Sequence, residues 1–369
     1  MKKYLILAAV ALVASAACSK VEMNDSSAPG EKITFEAASY VPQTKANTSV
    51  WDEFTSFKCK AFLHAAGYAD VQNMFGAAGE TISPYKTDGT AATGEANVSY
   101  WAPSHDYYWP KDASSYVNFV AWYDKKGTAP TTATETSLSW ANYTVLTTDN
   151  LLYADEAWHY KQNTTNAAQY TDDAVTSGVP MLFHHALAQL CIKASVTQAT
   201  DGKTPAHTWD VTLSNISLAG VYNQGTLTLT NSDPANDEPA VTGATTKAWS
   251  GSWATTGDPT SVAMADVTTP LTTTAVDVLT MQNVLPQTVT NAVVLNLKYN
   301  ISYKYDGTEY AHEKITAAIQ LNSITDAISS WGMNKKITYT ISINPVTTTI
   351  KIDPAIVEWE AQAGGSTTL

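Results

Sequence analysis

Ile33-Thr34-Phe35-Glu36-Ala37-Ala38-Ser39-Tyr40-Val41 alternates, with Ile33, Phe35 and Ala37 on one side. A period of two is the pattern of a half-buried β-strand, because successive side chains of an extended chain point to opposite faces. Pro42 ends the run, and Pro42-Gln43-Thr44-Lys45-Ala46-Asn47-Thr48 reads as an exposed connector. Runs of the same kind recur at Phe57 to Leu63, Tyr116 to Tyr123, Leu190 to Val196, Val211 to Leu218, Leu227 to Thr230, Val293 to Ile301, Ile337 to Ile343 and Ile350 to Val357. They are rich in β-branched and aromatic residues, and Gly, Pro, Asn, Asp and Thr clusters separate them. Few segments carry a helical stripe. Strands at this spacing with turn-rich connections predict an all-β protein of sandwiches rather than alternating α/β.

The chain has 369 residues, more than one hydrophobic core usually serves, so two domains are expected. Gln162 to Ser177 is polar, and Gly178-Val179-Pro180 then opens a new strand, which sets the boundary near residue 178. The polar block from Asn231 to Pro259 reads as a long surface loop with Trp249 and Trp253 as exposed aromatics.

The N-terminus reads as an export address. Lys2 and Lys3 precede an apolar core from Tyr4 to Ala17 that is too short to span a bilayer stably, ending in the small-residue stretch Ala14-Ser15-Ala16-Ala17. Residues 1–17 are therefore expected to be a signal peptide. Cleavage before Cys18 would make it a bacterial lipoprotein, because a new N-terminal thiol can be thioether-linked to diacylglycerol; Ser15 departs from the Leu usual in a lipobox. No later apolar run approaches the roughly 20 residues of a membrane-spanning helix, so membrane attachment is expected only through the lipid on Cys18. Ser19 to Gly30 has no periodicity and reads as a tether.

A formal net charge of −13 argues against nucleic acid, whose phosphates require basic patches. All 21 cationic side chains are lysines, which excludes arginine-specific processing. Cys59 shares its face with Phe57 and Ala61, whereas Cys191 alternates with Gln189 and Lys193; the pattern favours two free thiols over a disulfide. His184 and His185 are adjacent and on a strand would face opposite ways, so one metal cannot readily take both, and the other histidines have no partner at ligand spacing. The sequence contains no G-x-S-x-G, H-E-x-x-H, phosphate loop or calcium loop. No catalytic residue, metal or cofactor is predicted. Trp101, Tyr107, Tyr108 and Trp109 cluster around Pro103 and Pro110, where aromatic faces either stack on a glycan or close the mouth of a core.

Several motifs coincide with one family. They are Tyr108-Trp109-Pro110, Val117-Asn118-Phe119-Val120-Ala121-Trp122-Tyr123, Asp149-Asn150-Leu151-Leu152-Tyr153-Ala154, the run Val179 to Leu190 with His185 in place of a recurrent histidine, Leu285-Pro286-Gln287, and Trp331-x-x-Asn334 to Tyr339, closing at Trp359. Their order and spacing resemble the fimbrillin family, the subunits of type V pili in Gram-negative gut and oral anaerobes. The resemblance implies two tandem transthyretin-like β-sandwich domains, here residues 46–178 and 179–369, no enzyme, and assembly with other copies and related pilins on an outer-membrane anchor subunit. It also implies that a trypsin-like protease removes a lipidated propeptide, residues 18–45, with its first strand, and that the vacated groove accepts a strand from another subunit. Ile33, Phe35 and Ala37 would mark the removable strand. Lys45 and Ala46 would flank the cut, unless Lys45 is only a solvated charge. The donor would be residues 346–359, with Val346, Ile350 and Ile352 on one face, unless that strand simply completes its own domain. The expected output is adhesion from a surface fimbrium to a host or bacterial receptor. The alternative is a surface lipoprotein or pilus tip that binds glycan or protein through the loop aromatics.

Overall fold

The computed structural model describes residues 31–39, 48–49, 54–93, 98–112, 114–146, 148–161, 178–231, 245–265 and 268–358, and every regular element among them is a strand. The first half supplies β1 (Phe35–Ser39), β2 (Thr48–Ser49), β3 (Phe57–His64), β4 (Gln72–Asn73), β5 (Glu80–Tyr85), β6 (Tyr100–Pro103), β7 (Tyr116–Asp124), β8 (Thr132–Ala133), β9 (Ser137–Thr144), β10 (Leu151–Ala154) and β11 (Glu156–Tyr160). The second half supplies β12 (Val179–His185), β13 (Ala188–Val196), β14 (His207–Val221), β15 (Gln224–Thr230), β16 (Thr245–Lys247), β17 (Ser250–Thr256), β18 (Thr260–Ala265), β19 (Thr269–Pro270) and β20 (Val276–Val284). It continues with β21 (Gln287–Thr288), β22 (Val294–Tyr305), β23 (Thr308–Gln320), β24 (Ser330–Trp331), β25 (Lys335–Asn344) and β26 (Thr349–Glu358).

Seven strands of the 11-stranded sheet close a hydrogen-bonded circuit, β7-β10-β12-β1-β6-β5-β3 and back to β7. Each contributes apolar side chains to one interior. Phe35, Phe57, Ile82, Trp101, Phe119, Leu152 and Met181 all pack there. The near-continuous apolar run of β7 follows from burial on both faces: Val117, Phe119 and Ala121 fill the ring, while Val120 and Trp122 face a second layer.

That second layer is the sheet β17-β15-β9-β8, which draws β9 from the first half and β15 and β17 from the second. Trp140, Leu138, Leu227 and Leu229 pack with Val120, Trp122 and Leu285 in a core that both halves share. Eight further strands form a sandwich of β20-β13-β25-β26 against β18-β14-β22-β23, with β19 paired to β14 and β21 to β24. Leu190, Ile192, Ile337 and Ile341 from one sheet meet Leu213, Ile216, Leu297 and Tyr299 from the other.

The chain passes from ring to sandwich at β12. Although the composition shift puts a boundary at 178, Val179–His185 pairs with β1 and β10 inside the first-half sheet. The polar stretch marks where the chain leaves β11, and β12 returns to the same core because its apolar alternation fits the ring. The described part of the next polar block, residues 245–259, also differs from a surface loop. Lys247 pairs with Glu156 of β11, and β17 pairs with β15. Trp249 is buried, with Nε1 donating to the Ala154 carbonyl at 2.9 Å, and the half-buried Trp253 donates to Ala186 at 2.7 Å. Polar composition concealed strands whose indoles are satisfied by distant backbone. Both Cys59 and Cys191 are buried and free.

His184 and His185 diverge as adjacent strand residues must. His184 Nε2 lies 2.9 Å from Asp155, on one face. His185 is wholly buried on the other, with Nδ1 3.1 Å from Asn150 Oδ1, and its backbone N–H donates to Asn334 Oδ1 at 3.2 Å. Asn334 belongs to the turn that leads into β25, so this polar group ties ring to sandwich. Burial, reinforced by His184, lowers the His185 pKa to about 3. The unfolded chain binds that proton more readily, so the stability His185 supports is complete above its ordinary 6.5 and is lost as pH falls toward 3. Urea midpoints measured from pH 7 to pH 4 should fall more steeply for the native chain than for His185→Gln.

Candidate functional site: the seat of the first strand

β1 is the stave whose neighbours are most distant in sequence. On one side it runs parallel to β12, with Phe35 opposite Val179, Glu36 opposite Pro180 and Ala37 opposite Met181. On the other it meets β6 through Phe35 and Trp101. The chain just before it continues that wall: Ile33 N–H donates to Tyr107 at 2.8 Å, and Trp109 N–H donates to the Glu31 carbonyl at 3.1 Å. Lys32 Nζ sits 2.8 Å from Asp106 at the exposed rim. Gly178 makes the close approach possible, since a Cβ there would lie 2.8 Å from the Phe35 carbonyl carbon.

Side chains of alternate residues anchor the strand. Ile33 is 1% exposed and Phe35 is 0% exposed. The Phe35 ring meets Phe57, Phe75 and Phe119 edge-on at centroid distances of 6.3, 6.3 and 5.2 Å. Full burial of one such side chain is worth about 1.5–3 kcal/mol, and edge-to-face contacts add about 0.5–1.5 kcal/mol more. Ala37 packs at the margin of the same core. Glu36 points the other way and is half-buried, and burial pushes its carboxyl up to about 7. At the lip, the Tyr107 hydroxyl donates to Glu80 at 2.9 Å, and burial together with that carboxylate pushes the phenol up to about 12.

The seat therefore offers backbone partners on both sides and an apolar slot for every second side chain. Its chemistry is that of binding a strand. Among the described residues no cluster of three or more His, Cys, Asp or Glu is arranged to hold a metal.

A family model described as Fimbrillin-like matches residues 69–359. The chain belongs to the fimbrillin-like family. Among solved structures, a fimbrial protein from Bacteroides vulgatus is similar at 14% identity and a TM-score of 0.54, over 89% of this chain and 100% of that one. A candidate cell adhesion protein from Bacteroides uniformis is similar at 17% identity and a TM-score of 0.44, over 89% of this chain and 99% of that one. No curated protein matches the chain. Membership of this family makes the chain a subunit of cell-surface fimbriae.

Residues singled out from the fimbrillin sequence fall in three places. Ile33, Phe35 and Ala37 converge on the seat. Trp101 and Trp109 are 5% and 7% exposed and line the same core, so neither ring face is open to a sugar. Tyr107 and Tyr108 are half-buried beside the entering strand, Tyr108 bridging Lys32. In the C-terminal sandwich Val346 is 54% exposed in the turn before β26, while Ile352 is 4% exposed and packs in that sandwich's own core, with Ile350 against it. Among the described residues, β26 is an edge strand held by β25 alone. Cys18, Lys45 and Ala46 lie outside the described residues. The walls of the seat, β6 and β12, were not legible as walls, because strand partnership between residues far apart leaves no local signature.

Phe35→Ala should lower the free energy of unfolding by about 3–5 kcal/mol, read by urea denaturation, because it empties the centre of the ring. Ala37→Ser, at the margin, should cost far less.

Proposed function

We propose that this fimbrillin is a structural pilin that polymerises by exchange of its first strand for a strand of another subunit. The observation that carries the reading is the seat itself: one N-terminal strand closes a ring between β6 and β12 and fills it with Ile33 and Phe35. Taking that strand away leaves two unpaired walls and an empty apolar slot, which only another strand satisfies together.

In this reading the precursor reaches the outer membrane on a lipid at Cys18. A trypsin-like protease cuts after Lys45, in the sequence between β1 and β2, and releases residues 18–45 with the strand. The incoming strand is the C-terminal segment of a neighbour. β26 suits that part because it has one partner strand to leave, and its Ile350-Lys351-Ile352 alternation matches the period of the slot. Ile356 and Val357, 47% and 57% exposed, extend that segment beyond the core of its own sandwich. The proposed partners are further copies, related pilins and an anchor subunit, and the output is adhesion.

Mature protein from the cell surface should begin at Ala46 by N-terminal sequencing; a start at Cys18 would instead mean a retained lipid and an anchor or free-standing lipoprotein. Independently, Ala38→Cys with Leu182→Cys places thiols at a paired position of β1 and β12. Oxidation of that pair should abolish polymer formation on size exclusion, and reductant should restore it. Polymer formed equally well by the cross-linked chain would sink strand exchange.

A further inference from the structure

The strand that closes the ring carries an acid at a position where the surroundings do not help it. Glu36 Oε2 is sealed from solvent and has no hydrogen-bond partner among the described residues. Among the described residues, the groups on its side of the sheet are engaged or uncharged. In the chain just before β1, Lys32 is committed to Asp106 at 2.8 Å. On β12 the facing residue is Pro180, and His184, farther along, is held 2.9 Å from Asp155. On β6 the same side presents Tyr100, stacked on Tyr85 of β5 at 5.6 Å. The residues of β2 that pair with β1 are Thr48 and Ser49, neither of them ionisable at ordinary pH. Burial alone, with no neighbouring charge, is what raises this carboxyl to about 7.

A carboxylate with one oxygen sealed from solvent and unpartnered weakens whatever holds it there, and the penalty falls on the ionised form. We infer that Glu36 is a specificity-determining residue of strand exchange: its ionised carboxylate loosens β1 in the seat, so a strand of equal apolar register without an acid at that position displaces it. This rests on the strand-exchange reading above. With Ile350 and Ile352 in the places of Phe35 and Ala37, the segment proposed as donor sets Lys351 where β1 sets the acid. A lysine can bury its stem and extend its ammonium to water, which the shorter Glu36 does not achieve with Oε2. The hold on β1 is fullest when the carboxyl is protonated, below its ordinary 4.5, and is lost as pH rises through about 7. Neutral and alkaline conditions therefore favour release.

The test uses the full chain cut once between residues 39 and 48, so that β1 stays seated without a covalent link. Synthetic peptides spanning residues 31–39, either native or with Glu36→Gln, compete for the seat, and the displaced N-terminal piece is followed by mass spectrometry. At pH 8.5 the Gln peptide should bind about tenfold tighter, the ratio of one pKa unit, which is only part of the rise from 4.5 to about 7 because solvent screens the exposed side of Glu36. The gap should narrow at pH 5. Equal binding at pH 8.5, weaker binding by the Gln peptide, or a gap that pH does not change would overturn the role of Glu36 while leaving exchange intact. Uptake of neither peptide at any pH would overturn both readings. A second measurement needs no exchange: uncut Glu36→Gln chain should gain urea resistance over the native chain at pH 8.5 and gain less at pH 5, and no difference at either pH would refute the inference.

Discussion

The backbone of β1 is the constraint on which the first half of the molecule depends. β6 and β12 direct N–H and C=O groups into the space between them, and groups withdrawn from water require partners. Side chains alone cannot serve two facing edges, whereas one extended segment serves both. The apolar demand has the same period, since Ile33 and Phe35 enter the ring while the residues between them face outward. The seat is consequently strict about conformation and alternation.

The rest of the structure braces the ring independently of β1. β7 is buried on both faces and belongs to two cores at once, and the layer built from β9, β15 and β17 joins halves that are far apart in sequence. His185, held between Asn150 and Asn334, fixes the point where the chain leaves the ring for the sandwich. By contrast, β1 adds its apolar anchors and ladder from the outermost described part of the chain. Its departure would remove one stave and leave the sandwich core and the shared core with their own residues.

Much of this was legible locally. The eight downstream runs read as strands are β3, β7, β13, β14, β15, β22, β25 and β26, because β-branched and aromatic content with period two reports a pleated, half-buried surface wherever it occurs. The adjacent histidines diverged for the same reason. Composition was a poorer guide than periodicity. The polar tract before Val179 resembled a domain boundary, yet the strand that follows belongs to the first core, and Trp249 lay in a polar block although a carbonyl 95 residues away awaited its indole. The aromatic cluster at Trp101 and Trp109 had two readings, and the packing around Phe35 and Phe119 selects the structural one.

The sequence by itself determined that the first strand exists, which of its residues are apolar, and that Glu36 interrupts them, since these follow from alternation within nine residues. Only the tertiary structure decided that this strand is a closing stave rather than an edge, that its walls are β6 and β12, and that the acid lies where solvent does not reach Oε2. Pairing between segments more than sixty residues apart is chosen by the global competition for backbone partners and buried area, and a desolvated carboxylate is a property of what surrounds it. Neither quantity is carried by the residues alone.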